Sequence, residues 1–201
     1  MILALPLVVG VVVGRLVGGS FKNLAATPIR FGWLFVLGLG FQLALFTRLT
    51  DEQSWDIRYG HDLYVVSLVL VLSALVLNLG RLQWPLLIMA VGAGLNLVVI
   101  VVNGGAMPVD LHLLALAQGH QLVASLAHHR VATNVAPLTA ATRLAWLGDR
   151  IPIAASVYSV GDVTLGAGAF LLTLFEMNRG RWPHLVGLAQ LRKPIPFTNA
   201  A

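Results

Sequence analysis

Asn96-Leu97-Val98-Val99-Ile100-Val101-Val102-Asn103-Gly104-Gly105-Ala106-Met107-Pro108 is the stretch on which the reading of the fold turns. Its first half is an apolar helix carrying one amide. Its second half stops that helix: two glycines supply permissive backbone angles, and a proline then removes a donor that a continuing helix would need. The chain before this junction is a succession of apolar spans, and the chain after it opens into a long, mixed segment.

Working outward, 58% of the 201 residues are hydrophobic and only 10% are charged, against about 25% charged in a soluble domain. That contrast places the chain in a membrane. With no cysteine there are no disulfides, thiolate metal sites or thiol nucleophiles. The formal net charge of +5 comes from basic residues that flank apolar spans instead of interleaving with aromatics, so they read as topology signals and not as a nucleic-acid surface. The first basic residues, Arg15 and Lys22, follow the first apolar run, the wrong order for a cleaved signal peptide.

Five segments are apolar enough to span a hydrocarbon core, which takes about 20 residues. They cover residues 2–19, 31–46, 63–79, 85–102 and 160–177 of a single membrane domain, 1–201. Between them, Arg15, Lys22, Arg30, Arg81, Arg179, Arg181, Arg192 and Lys193 fall on one side, and Arg48, Arg58, Arg130, Arg143 and Arg150 on the other. The positive-inside rule puts the N-terminus outside and the tail, 178–201, in the cytoplasm. The expected fold class is therefore all-α: a polytopic helical membrane bundle of about five transmembrane helices, in the bacterial plasma membrane, with amphipathic interfacial helices between the fourth and fifth.

Those interfacial pieces belong to an extracytoplasmic loop, 103–159. Asp110 can cap a helix from Leu111 toward Gln118, and a second piece runs through His129. Asn134 to Thr142 reads as turn or loop, and Arg143 to Leu147 as a short helix stopped by Gly148. Gly10, Gly14 and Gly18 line one face of the first span at four-residue spacing, fit either for a homodimer or for packing on another helix of the same chain. No internal repeat divides five spans into equal halves.

Polar groups inside hydrocarbon need partners. Gln42, Asn96, Asn103 and Asp162 lie at similar depth toward the outer side; Asn103 follows Asn96 by two helical turns, so both would face one way. Together with the backbone of Gly104 and Gly105 they could wall a polar pocket under the long loop, or they could simply hydrogen-bond helices together. Ser159-Val160-Gly161-Asp162 also reads as a capping box, with Asp162 favoured by the helix dipole. Asp149, after Leu147-Gly148, either ends a helix in a turn or pairs with Arg143 or Arg150. Five of six histidines fall outside, but without metal-ligand spacing, so no metal and no cofactor is expected. Nucleotide and serine-hydrolase motifs are missing from the sequence.

With these residues assembled, the chain resembles a family of bacterial integral membrane proteins known only as a domain of unknown function. The resemblance rests on Asn96 with Asn103-Gly104-Gly105 and Met107-Pro108, on Thr142-Arg143-Leu144 with Leu147-Gly148-Asp149, and on Ser159 with Gly161-Asp162. It covers mainly the second half, from about Leu95, and it implies membership without a mechanism. The residues themselves suggest a non-catalytic binding or transport-related protein, with the lipid bilayer and a lipid or small-molecule ligand as partners and no nucleic acid. The alternatives are an accessory or assembly subunit docking on a membrane-protein partner, and a membrane-embedded enzyme using Asp149 and Asp162.

Overall fold

The computed structural model describes residues 4–46, 54–80, 84–118 and 135–181. It is mostly helical: α1 (Ala4–Leu16), α2 (Phe21–Ala25), α3 (Gly32–Phe46), α4 (Ser54–Asn78), α5 (Trp84–Val102), α6 (Leu111–Gln118) and α7 (Val160–Met177). Within α4, α5 and α7 the segments Tyr59–Asn78, Trp84–Val102 and Val160–Met177 are long and apolar enough to cross a membrane; α1 and α3 are apolar but shorter. The second interfacial piece through His129, and the tail with Arg192 and Lys193, lie outside the described residues.

Helix ends follow from local chemistry. At the end of α5, Gly104 N–H donates to the Val101 carbonyl (3.2 Å) and Gly105 N–H to that of Ile100 (2.9 Å), with φ of +76° and +91° at the two glycines. This paired pattern satisfies carbonyls the helix would otherwise leave open, and its left-handed residue selects glycine. α1 ends the same way, through Gly18 (φ +87°) bonded to Arg15 and Gly19 bonded to Gly14. The first helix therefore stops at Leu16, short of the residue 19 expected from hydropathy, and Ser20 caps the unforeseen α2 through a bond from Lys22 N–H (3.2 Å).

The principal contacts link α1 to α7, α7 to α5, α5 to α4 and α4 to α3. Glycines set most of these crossings. A Cβ on Gly92 would meet Leu165 N at 2.5 Å and Gly161 O at 2.6 Å, and one on Gly168 would meet Met89 N at 2.7 Å, so α5 and α7 touch backbone to backbone. Gly10 lies against Phe170 and Gly14 against Met177, which seats the glycine face of α1 on α7 of the same chain. Gly38 does the same for α3 against Ser67 and Val71 of α4. Leu75, Leu86, Ala90, Ala93 and Leu165 form the core between α4, α5 and α7.

The α5–α7 connection contains more than helix. Met107–Val109 (β1) pairs in parallel with Val135–Pro137 (β2), in a stretch expected to be loop, and Ile151–Ile153 (β3) forms a hairpin with Ser156–Tyr158 (β4). Three-residue strands are too short to show a two-residue period. The hairpin turn has Ala154 at φ +51°, where a glycine or asparagine would have announced it. Ala145–Leu147 is a single 3₁₀ turn closed at Gly148.

The backbone contact at Gly92 has a built-in control. Gly94, on the same helix, would meet nothing within 4 Å on gaining a Cβ. Gly92→Ala should lower stability by about 1–3 kcal/mol through overpacking, whereas Gly94→Ala should be neutral or stabilising; thermal unfolding in detergent checks the contrast.

Candidate functional site

α7 starts at a capping box. Ser159 Oγ accepts from Asp162 N–H (2.8 Å), and Asp162 Oδ2 accepts from Ser159 N–H (3.2 Å), so two of the helix's open donors are satisfied reciprocally. Capping does not exhaust either side chain. Asn96 Nδ2 donates to Asp162 Oδ1 at 2.7 Å, and Ser159 Oγ donates to Asn96 Oδ1 at 2.8 Å, closing a ring of three side chains between α5 and α7. Ser159 is fully buried and Asn96 nearly so. The close approach depends on Gly161, where a Cβ would overlap the Asn96 side chain.

Asp149 comes to this ring from the loop. Its N–H donates to the Pro108 carbonyl (2.8 Å) and its carbonyl accepts from Asp110 N–H (3.0 Å), which ties the 3₁₀ turn to β1. A Cβ on Gly148 would meet Pro108 O at 2.7 Å, so the residue before Asp149 has to be small. The side chain is held less completely: Asp149 Oδ1 is buried with no hydrogen-bond partner. Among the described residues the sole ion pair joins Arg179 to Glu176, and neither Arg143 nor Arg150 neutralises Asp149. Burial, helped by the negative charge of Asp162, pushes the Asp149 carboxyl up from 3.8 to about 8.

The other sequence candidates are committed elsewhere. Gln42 Nε2 donates to Ser67 Oγ (3.3 Å) in the α3–α4 contact. Asn103 Nδ2 donates to the carbonyls of Val99 (2.8 Å) and Arg143 (2.9 Å), and its Oδ1 accepts from Arg143 N–H (3.0 Å), so it clasps the loop to the end of α5. Gly104 is exposed in the turn, and Gly105 is buried against His61 of α4. The structure thus unites Asn96 and Asp162 with Ser159, brings Asp149 within electrostatic reach of Asp162, and leaves Gln42, Asn103, Gly104 and Gly105 as framework.

A second polar cluster, passed over in the sequence, sits at the opposite end of α7. Glu176 is buried, accepts from Thr27 Oγ1 (3.1 Å) and pairs with Arg179. Asn178 donates to the Leu174 carbonyl (2.9 Å), and Asn78 clasps the backbone of Arg30 through two bonds of 2.8 Å. An acid in the last turn of an apolar helix was the signal available. Among the described residues no group of three or more His, Cys, Asp or Glu side chains could hold a metal ion.

The profile of a family of unknown function, DUF5317, matches residues 26–174. The chain belongs to that family. The match reaches from before α3 almost to the end of α7, much further than the second-half motifs alone, and it includes all four residues of the cluster. No curated protein and no solved structure matches the chain. Family membership brings no activity, so function has to come from the side chains.

The chemistry available to the cluster is that of two neighbouring carboxyls, one of which keeps a proton near neutral pH. Because the folded-state pKa of Asp149 lies above its unfolded value, the folded protein binds the extra proton between about pH 4 and about pH 8. The stability this carboxyl confers is complete below the lower value and declines as pH rises through the window, by up to about 1.4 kcal/mol per unit. Asp149→Asn should abolish that decline, so that the wild type's stability relative to the variant falls as pH rises, measured by chemical unfolding from pH 5 to 9.

Proposed function

We propose that this chain is a five-span protein of the bacterial plasma membrane, N-terminus outside and C-terminus in the cytoplasm, whose outer end binds a small polar ligand. The observation that carries the reading is the buried, unpartnered Oδ1 of Asp149 beside the Asn96–Ser159–Asp162 ring. Within the ring the Ser159 hydroxyl and one Asn96 N–H are already engaged, leaving acceptors in excess. A ligand that brings its own donor, such as a lipid headgroup hydroxyl or amine, would satisfy that oxygen. A buried acceptor left open costs roughly 1–3 kcal/mol, which is free energy available to binding.

Binding fits better than covalent catalysis. Ser159, the hydroxyl of the ring, donates to Asn96 and accepts from the α7 backbone, so it is not free to act as a nucleophile. The reading as a docking subunit gains nothing from the glycines of α1, because Gly10 and Gly14 already face α7.

Two measurements test the proposal. Native mass spectrometry of protein purified in mild detergent should show a bound small molecule that Asp162→Asn reduces at least tenfold, with the variant still folded; retention of the ligand with only lowered thermal stability would make capping the whole role of Asp162. For orientation, the cysteine-free chain accepts single probes. His112→Cys should react with an impermeant maleimide on intact cells and Ala25→Cys only after permeabilisation, and the reverse pattern would invert the topology.

A further inference from the structure

The turn between α1 and α2 gathers cations. Arg15 Nη1 donates to the Gly19 carbonyl (3.2 Å), and Arg181 Nη1 donates to those of Val17 (3.3 Å) and Gly18 (3.0 Å). Two guanidinium groups, one from α1 and one from the turn that follows α7, are thereby planted on three consecutive carbonyls of one turn. Gly18 makes this possible, since a Cβ there would overlap the Arg181 guanidinium. Lys22 stands exposed on the next turn, and Ser20 N–H donates to the Met177 carbonyl (2.9 Å), which fixes this turn to the end of α7. Among the described residues the one acid at this end, Glu176, is buried and paired with Arg179.

We infer that this turn binds the phosphate of an anionic phospholipid, held by Arg15, Arg181 and Lys22. A guanidinium has five N–H donors in a fork that matches phosphate oxygens. These hydrogen bonds of Arg15 and Arg181 are made through Nη1, and both side chains remain exposed. The surroundings suit a lipid rather than a free ion: Leu16 is 80% exposed, Phe21 57% and Val17 42%. These apolar groups border the cations at the end of an apolar helix, so acyl chains can lie along them while the headgroup meets the charges. The charge asymmetry of the molecule points the same way. The opposite end carries Asp56, Asp62, Asp110 and Asp162 against Arg58, Arg143 and Arg150 among the described residues, with Asp149 uncharged near neutral pH, so the anionic lipid has one favourable end. This site is separate from the cluster around Asp149 and does not depend on it.

The test is native mass spectrometry and thermal unfolding of the full chain in micelles doped with phosphatidylglycerol or phosphatidylcholine. Phosphatidylglycerol should give adducts at least tenfold more abundant than phosphatidylcholine and should raise the unfolding midpoint, an effect that weakens with added salt. The double variant Arg15→Gln, Arg181→Gln should lose both effects while keeping the wild-type midpoint in phosphatidylcholine. If that variant fails to fold, Arg15→Lys with Arg181→Lys replaces it, with a several-fold loss expected because charge remains and the fork is gone. Arg143→Gln with Arg150→Gln should change neither effect. Equal adducts with the two lipids, full retention in both arginine variants, or equal stabilisation by millimolar inorganic phosphate would each overturn the proposal.

Discussion

The close crossing of α5 and α7 is the constraint from which the half of the molecule around the start of α7 follows. Gly92 and Gly161 let two backbones touch, and the space a side chain would fill at Gly161 is occupied by the Asn96 amide. Asn96 can therefore reach Ser159 and Asp162 at the first turn of α7. A capping box satisfies the backbone of one helix; here it also serves as the acceptor for the neighbouring helix. Packing, capping and the polar ring are one interaction seen at three levels, and Asp149 is presented to it by the loop that β1 and the 3₁₀ turn hold in place.

The two ends of the molecule solve the cost of polar groups near hydrocarbon differently. At the α5–α7 mouth, acceptors outnumber donors and one carboxyl keeps its proton to remain buried. At the other end, Glu176 is paired with Arg179, Asn78 and Asn178 close off backbone carbonyls while Glu176 Oε1 and Asn178 Oδ1 stay buried without a partner, and cations remain exposed around the α1–α2 turn. The first arrangement suits a ligand that donates hydrogen bonds. The second suits a surface of opposite charge. Membership of the DUF5317 family, whose profile spans residues 26–174, covers both partner helices of the polar ring.

Helices were legible in the sequence wherever apolarity and an end signal coincided. Asn103-Gly104-Gly105 announced the end of α5, and Ser159 with Asp162 announced the start of α7, since both are local motifs with fixed spacing. The contact of Asn96 with Asp162, 66 residues apart, was suggested by shared depth alone; the structure supplies the glycine that permits it. Asn103 departs from the expected face because the helix has already ended there, and its side chain turns to Arg143. The strands were illegible because each is three residues long and their pairing is tertiary. Gln42 belongs to the α3–α4 contact because its partner, Ser67, was a residue that sequence depth did not bring forward.

The most direct measurement is a site-resolved carbon-13 titration of the Asp149 carboxyl in the folded protein, assigned by comparison with Asp149→Asn. A midpoint near 8 is expected if the carboxyl is buried, unpartnered and adjacent to the charge of Asp162, and Asp162→Asn should lower it. A midpoint near the ordinary aspartate value of about 3.9, unmoved by Asp162→Asn, would contradict the cluster on which the proposed binding site is built.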